Sequence, residues 1–268
     1  MDASERVGQE KPLVARRDDG GVVTLTLNQG DRFNPLSQAM IAALDEHLRA
    51  VAADRAARVV ILAAAGRGFC AGHDLRELRA HREDPAWQRG LFGDCTRMMI
   101  RLTELPQPVI ARVHGVATAA GCQLVAACDL AVAADTARFA TPGVKIGLFC
   151  STPMVPLSRA VGRKRALEML LTGELIDAQR ARDWGLVNVV VPEDELEDAV
   201  AALAETIVRS SPLTVAIGKE AFYAQVELDE HRAYDLTKSV MAMNSLAGDA
   251  QEGMCAFLEK RPPEWKGE

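Results

Sequence analysis

Two short runs of small residues could together bind a developing negative charge. Ala71-Gly72-His73-Asp74 follows the apolar stretch 59–65, and Ala119-Ala120-Gly121-Cys122-Gln123 follows the apolar stretch 108–113. A helical pattern comes after each run, so the first N–H groups of that helix have no acceptor within it and lie at the positive end of its dipole. Two such turns side by side would stabilise the oxygen of a carbonyl group as it becomes an enolate.

The residue types at these turns suit a close approach of ligand and backbone. Glycine and alanine leave space beside the main chain that bulky side chains would fill. The glycines Gly66, Gly68 and Gly72 do not form a dinucleotide-binding fingerprint, because that motif requires the spacing G-x-G-x-x-G. The alternative is that these glycines only form turns, and two turns at matching positions favour the binding interpretation.

Strand and helix patterns alternate along the first two thirds of the chain, which indicates an α/β fold. Helix starts are predicted from a cap at Ser37 and from a capping box of Asp74 and Glu77. The predicted strands are 13–17, 22–27, 59–65, 109–113 and 129–134, and the predicted helices include one after Ser37, 87–105 and a short one from Gly121.

The last third of the sequence is different in kind. Helical patterns dominate from Arg163 onward, with Leu196, Val200, Leu203 and Ile207 on one face of a helix. We therefore expect a core of residues 1–192 that carries the binding site. Residues 193–268 are expected to form a helical region that packs on neighbouring subunits.

Composition limits the classes of function. The chain has 268 residues, of which 49% are hydrophobic and 25% charged, with a net charge of −6. These values are typical of a globular domain and give no basic field that would attract nucleic acid or an anionic membrane. Six cysteines without a CxxC pattern favour free thiols, and five histidines without paired spacing predict no metal site. Residues 1–11 are polar and do not resemble a signal peptide, so a cytoplasmic location is expected.

Several motifs between residues 14 and 266 resemble those of one superfamily. They are Leu27-Asn28 with Asn34, Phe69-Cys70-Ala71-Gly72-His73-Asp74-Leu75, Ala120-Gly121-Cys122-Gln123-Leu124 with Cys128-Asp129, Leu171-Thr172-Gly173, Gly185-Leu186-Val187, and Glu252-Gly253-Met254-Cys255-Ala256-Phe257. In these motifs the chain resembles the crotonase superfamily of enoyl-CoA hydratases and isomerases. Residues 119–128 and 139–153 look particularly like one subgroup of it.

The resemblance implies a fold, an assembly and a ligand. The fold would be a crotonase-type spiral of ββα turns with a helical C-terminal oligomerisation region. The assembly would be a homotrimer or a dimer of trimers. The ligand would be a coenzyme A (CoA) thioester, with no cofactor bound covalently.

The resemblance also implies roles for particular residues. The oxyanion donors would be the backbone N–H groups of His73 and Ala120. The positions that match family residues along the CoA path are Arg32, Phe33, Arg67 and Ala71, and Lys260 matches a lysine that reaches the CoA of a neighbouring subunit.

The two glutamates that hydratases of this superfamily use as acid and base are absent. Gln123 and Gly143 occupy their positions. Glutamine accepts no proton at a relevant pH and glycine has no side chain, while each general acid or base contributes roughly 10²–10⁴-fold. We therefore expect weak or altered hydratase activity from a site that still stabilises an enolate.

Other groups and other functions stay open at this point. The His73 imidazole and the Cys150 thiol could transfer protons, whereas Asp74, His114 and Asp129 are interpreted as structural. The candidate functions are an acyl-CoA lyase or isomerase, a non-catalytic acyl-CoA carrier, and a decarboxylase-like enzyme. A purely structural oligomer is disfavoured, since a scaffold does not need two small-residue turns that face one pocket.

Overall fold

A computed structural model describes residues 11–268 of the chain. The expectation of no signal peptide concerns residues 1–11, so it lies, apart from Lys11, outside the described residues. Within the described part, no single helix has the length and apolar character needed to cross a membrane. Two consecutive helical segments, Glu193–Val208 and Pro212–Gln225, have that length and composition only when taken together, and the chain bends sharply between them.

Two β-sheets form the centre of the fold. The strands are β1 (Val14–Asp19), β2 (Val22–Leu27), β3 (Val59–Ala64), β4 (Val109–Val113), β5 (Val116–Thr118), β6 (Leu130–Ala134), β7 (Arg138–Ala140), β8 (Ile176–Asp177) and β9 (Val189–Val191). The larger sheet has the order β1-β2-β3-β4-β6-β9 and the smaller has the order β5-β7-β8. In the larger sheet β1 is antiparallel to β2 and all other neighbours are parallel.

Helices connect the parallel strands, as such pairing requires. They are α1 (Gln38–Ala52), α2 (Leu75–Ala80), α3 (Pro85–Glu104), α4 (Ala120–Ala127), α5 (Met154–Val161), α6 (Arg163–Thr172), α7 (Ala178–Trp184), α8 (Leu196–Val208), α9 (Pro212–Gln225), α10 (Glu230–Ser245) and α11 (Gly248–Glu259). Short 3₁₀ turns lie at Gly30–Arg32, Pro142–Ile146 and Glu193–Glu195.

The larger sheet is covered on both faces. All six residues of β3 are buried, which is typical of a central parallel strand. The face that carries Ile61 and Ile110 packs against Leu196 and Val200 of α8. Helix α8 begins after the predicted boundary near Pro192, so the first helix of the C-terminal region completes the core of its own chain. The division into 1–192 and 193–268 stays a prediction.

The predicted helix caps are present, with one difference. The Ser37 side chain accepts from the Met40 N–H, and the Asp74 side chain accepts from the Arg76 N–H. The carboxylate of Glu77 does not bond back to its own helix, as a capping box would require. It accepts from the Gln38 N–H at 2.8 Å and so joins the start of α2 to the start of α1.

A buried ion pair connects α9 to the core. The Lys219 ammonium donates to the Asp129 carboxylate at 2.6 Å and to the carbonyls of Leu102 and Gln107. The Asp129 carboxylate also accepts hydrogen bonds from the Tyr223 hydroxyl at 2.8 Å and from the Val109 N–H at 2.7 Å. Asp129 is therefore a structural residue, as expected.

Replacing Asp129→Asn should destabilise the protein, since it leaves the Lys219 ammonium buried without its counter-charge. We expect the free energy of unfolding to fall by about 3–5 kcal/mol, measured by urea denaturation. The exposed pair Lys238–Asp235 provides the control, where Asp235→Asn should cost about 1 kcal/mol or less. Equal effects of the two variants would contradict the role given to Asp129.

Candidate functional site

The first turn lies between β3 and α2 and is supported by a distant side chain. Asn34 is fully buried, and its amide donates to the carbonyls of Ala65, Gly68 and Phe69 at 2.9–3.1 Å. Its side-chain oxygen accepts from the Gln29 N–H at 2.8 Å. Asn34 was recognised in the sequence only as part of a motif, because hydrogen bonds across more than 30 residues leave no local pattern.

The second turn has a strained start. Ala119 has φ 51° and ψ −119°, a conformation that residues with a Cβ rarely adopt. Helix α4 begins immediately after it, at Ala120.

The two turns contact each other through two glycines. A Cβ placed on Gly72, which has φ +97°, would lie 2.8 Å from the Ala119 Cβ and 3.2 Å from the Ala120 nitrogen. A Cβ on Gly121 would collide with the carbonyl oxygen of Cys70. Strand-like pairing of Cys70 with Ala117 aligns the same two segments. Only glycine at both positions allows the turns to lie this close.

The N–H groups of His73 and Ala120 are among the backbone donors that the two turns leave free in the described part of the chain. Among residues 11–268, no backbone or side-chain acceptor bonds to the N–H of His73 or to the N–H of Ala120. Unsatisfied N–H groups at the start of a helix are available for a ligand. The two N–H groups lie on turns that touch each other, and their role as oxyanion donors stays a prediction.

Both turns line one cavity of about 520 Å³. Its walls are largely apolar, and no described residue that lines it is an aspartate or a glutamate. The lining residues are Ala71, His73, Leu75, Leu78, Phe92, Ala119, Ala120, Pro142, Gly143, Lys145, Ile146, Leu148, Phe149, Cys150, Ser151, Thr152 and Pro153. Ala71, His73, Ala120 and Gly143 are therefore brought together, as the sequence analysis expected.

The His73 imidazole is an uncharged wall of this cavity. Its ring stands edge-on to Phe92 at a centroid distance of 5.1 Å, and its Nε2 is buried without a partner in the described part of the chain. Burial lowers the pKa of His73 to about 4. The ring does not pair with Asp74, whose carboxylate is bound by Arg32 at 2.6 Å.

Gly143, which the family resemblance places at a glutamate position, has no room for a larger side chain. A Cβ at this position would collide with the carbonyl oxygen of Leu148 and would lie 2.9 Å from the Cys150 sulfur. The expectation that Gly143 merely lacks a side chain is therefore incomplete, because the loop that follows has filled the space. The Cys150 thiol occupies it, and burial raises the pKa of that thiol.

Gln123 lies on α4 but is not among the residues that line the cavity. Its side chain is buried, and its Oε1 has no hydrogen-bond partner among residues 11–268. The Gln123 side chain is therefore buried but not part of the cavity wall.

The expected CoA-path residues lie outside the cavity wall, apart from Ala71. Arg32 ends the turn at Gly30–Arg32 and Phe33 follows it, and the Arg67 guanidinium stacks over the Phe33 ring at 5.2 Å. Lys260 ends α11 with φ 57°. His114, expected as a satisfied core histidine, is partly buried and bonds the Gly66 carbonyl at 2.8 Å. All six cysteines are free, and five of them are buried.

Comparison with known proteins agrees with this architecture. A family model described as enoyl-CoA hydratase/isomerase matches residues 17–268. The chain belongs to the enoyl-CoA hydratase/isomerase family. The resemblance to the crotonase superfamily read from the motifs is confirmed.

Individual relatives cover nearly the whole chain. Enoyl-CoA hydratase domain-containing protein 3 of Xenopus laevis is 46% identical over 96% of this chain and 87% of its own. The crystal structure of the human protein of that name is 45% identical, with a TM-score of 0.92 over 94% of this chain and 100% of its own. A Mycobacterium smegmatis enoyl-CoA hydratase structure is 53% identical, with a TM-score of 0.92 over 95% and 99%. The crotonase fold is therefore confirmed, and the subgroup that residues 119–128 and 139–153 resemble is domain-containing protein 3.

The names of these relatives correct one expectation. The proteins from Xenopus laevis, Homo sapiens and Rattus norvegicus are called mitochondrial. The expected cytoplasmic location is therefore wrong by this comparison. It depended on the lack of a recognisable targeting pattern in a few terminal residues, and such a lack does not specify a compartment.

The buried imidazole predicts a pH dependence. Its pKa falls from 6.5 to about 4 on folding, so the unfolded chain binds more protons between these values. The free energy of unfolding should therefore decrease as the pH falls from about 6.5 to about 4. Nuclear magnetic resonance titration of the His73 ring measures the pKa directly. His73→Phe should flatten this part of the stability profile, and a ring that titrates near pH 6.5 would contradict the burial argument.

Proposed function

We propose that this protein binds acyl-CoA thioesters in the cavity and stabilises their enolate with the N–H groups of His73 and Ala120. The observation that carries the proposal is a pair of free backbone donors on two turns that touch each other at Gly72 and Gly121. Both donor residues lie on the wall of one apolar cavity. The resemblance of residues 17–268 to enoyl-CoA hydratases and isomerases supports the same ligand class.

The chemistry follows from the charge that moves. When a proton or another group leaves the carbon next to a thioester carbonyl, negative charge collects on the carbonyl oxygen. Two preorganised N–H donors meet that charge in an apolar environment, and loss of one such donor typically costs about 3–4 kcal/mol of transition-state stabilisation. The donors polarise the carbonyl but transfer no proton to carbon.

Hydration would be slow in this site. Water addition needs a group that holds and deprotonates water, and the cavity wall contains no carboxylate among the described residues. Gln123 and Gly143 at the glutamate positions support an enzyme with weak or altered hydratase activity. The same features leave a non-catalytic acyl-CoA carrier as the alternative if no thioester is converted.

The acid-free wall favours one further candidate, the decarboxylation of a thioester that carries its own 2-carboxylate. Loss of CO₂ supplies the enolate electrons from the substrate, so no protein base is needed. A resident glutamate would repel that carboxylate, whereas the cavity has Lys145 on its wall, paired with Glu174 at 2.8 Å. Product analysis with a panel of acyl-CoA thioesters, some with a 2-carboxylate and some without, separates the candidate functions.

We also propose assembly through the C-terminal helices. Large apolar side chains on α10 and α11 are exposed in the single chain, including Phe257 at 82% and Leu258 at 80%. Their burial against a neighbouring subunit would account for the exposure, which is unusual in a monomer. A homotrimer or a dimer of trimers is the expected state.

Isotope-edited infrared spectroscopy of bound octanoyl-CoA, labelled with ¹³C at the thioester carbonyl, tests the proposal. Two hydrogen bonds weaken the C=O bond, so the band should move to lower frequency on binding. Gly121→Ala should lose this shift, because its Cβ collides with the Cys70 carbonyl and separates the turns.

Gly90→Ala is the matched control. It lies in α3 with nothing within 4 Å of the added Cβ, so the shift should persist and stability should rise by about 0.5–1 kcal/mol. A thioester that binds to the unmodified protein without any band shift would refute the oxyanion hole.

A further inference from the structure

One segment, residues 32–38, holds the first oxyanion turn on both sides of His73. The Phe33 carbonyl accepts from the Ala71 N–H at 2.9 Å, and the Leu36 N–H donates to the Gly72 carbonyl at 2.8 Å. The Leu36 carbonyl accepts from the Asp74 N–H at 3.3 Å. The peptide groups before and after His73 are thus both anchored to Leu36.

An ion pair between side chains also joins this segment to the first turn. The Arg32 guanidinium donates to the Asp74 Oδ2 at 2.6 Å, while Asp74 Oδ1 accepts from the Arg76 N–H at 2.9 Å. The Asp74 side chain is only 8% exposed and that of Arg32 is 45% exposed. Burial raises the pKa of Asp74, but the Arg76 N–H and the Arg32 guanidinium outweigh it and hold the pKa below its usual range.

The turn needs this external support. Gly72 has φ +97° and no side chain, so its own conformational preferences do not fix the direction of the next N–H. Asp74 is the residue directly after His73 and caps α2. The Gly72 carbonyl, which shares a peptide group with the His73 N–H, is held by the Leu36 N–H, and the Arg32–Asp74 pair holds the residue that follows His73.

We propose that Arg32 is a positioning residue, which acts through Asp74 to fix the direction of the His73 N–H in the oxyanion hole. This role rests on the proposed function and is distinct from a contact of Arg32 with CoA. This role accounts for an Arg32 side chain that is partly exposed to solvent while its guanidinium binds the buried carboxylate of Asp74. Misplacement of a donor by a fraction of an ångström weakens its effect on the transition state far more than on binding.

The variants Arg32→Gln, Arg32→Lys and Asp74→Asn test the proposal. Asp74→Asn keeps the Oδ1 acceptor that caps α2 and replaces the Oδ2 acceptor of the Arg32 guanidinium with an uncharged NH₂ donor. The matched control is Arg101→Gln, which breaks another Arg–Asp pair, to Asp45 at 2.6 Å between α1 and α3, away from both turns.

In the ligand-free protein we expect the ¹⁵N–¹H signal of the His73 amide to move in Arg32→Gln and in Asp74→Asn but not in Arg101→Gln. With ¹³C-labelled octanoyl-CoA, the first two variants should lose most of the carbonyl band shift, while the Kd rises by less than about tenfold. Arg32→Lys should restore part of the shift, because it retains the charge.

Two results would overturn the inference. One is that Arg32→Gln binds octanoyl-CoA more weakly while Asp74→Asn keeps the carbonyl band shift. In that case Arg32 only contacts the ligand and does not act through Asp74. The other is a His73 amide signal that the Arg32 and Asp74 variants leave unchanged. If that signal moves as expected but the unmodified protein shows no band shift, the positioning role stands and the oxyanion proposal fails.

Discussion

The contact between the two turns is the constraint on which the site depends. Gly121 lies against the Cys70 carbonyl, and Gly72 lies against Ala119 and the Ala120 nitrogen. Close approach of two backbones is possible only without Cβ atoms, and both turns keep an N–H group that has no acceptor among residues 11–268. The sheets supply the rigid frame for this contact, since β5 pairs through Ala117 with the chain at Cys70.

Close packing also leaves no space for a larger side chain at Gly143, one of the two positions that the family resemblance assigns to a glutamate. At Gly143 the following loop has filled the side-chain volume with the Leu148 carbonyl and the Cys150 thiol. Gln123 is buried and uncharged, and it does not line the cavity. The cavity therefore combines free backbone donors with a wall that has no carboxylate among the described residues, as the proposed stabilisation of an enolate without proton transfer requires.

Local features of the fold could be predicted from the sequence, and long-range contacts could not. The β3 strand, the Asp74 cap and the two turns follow from patterns within a few residues. The partners of Asn34, Glu77 and Lys219 lie more than 30 residues away, so no local pattern encodes them. The family resemblance supplied the role of Gly143 but not the collision that excludes a glutamate, because the collision depends on the path of a neighbouring loop.

The central claim is that the amides of His73 and Ala120 bind the same carbonyl oxygen. Titration of ¹⁵N-labelled protein with octanoyl-CoA and with S-octyl-CoA, a thioether that lacks the carbonyl, tests it most directly. The account predicts that both amide protons move downfield together with the thioester and that neither does with the thioether. Movement of only one of the two amides, or equal movement with both ligands, would contradict it.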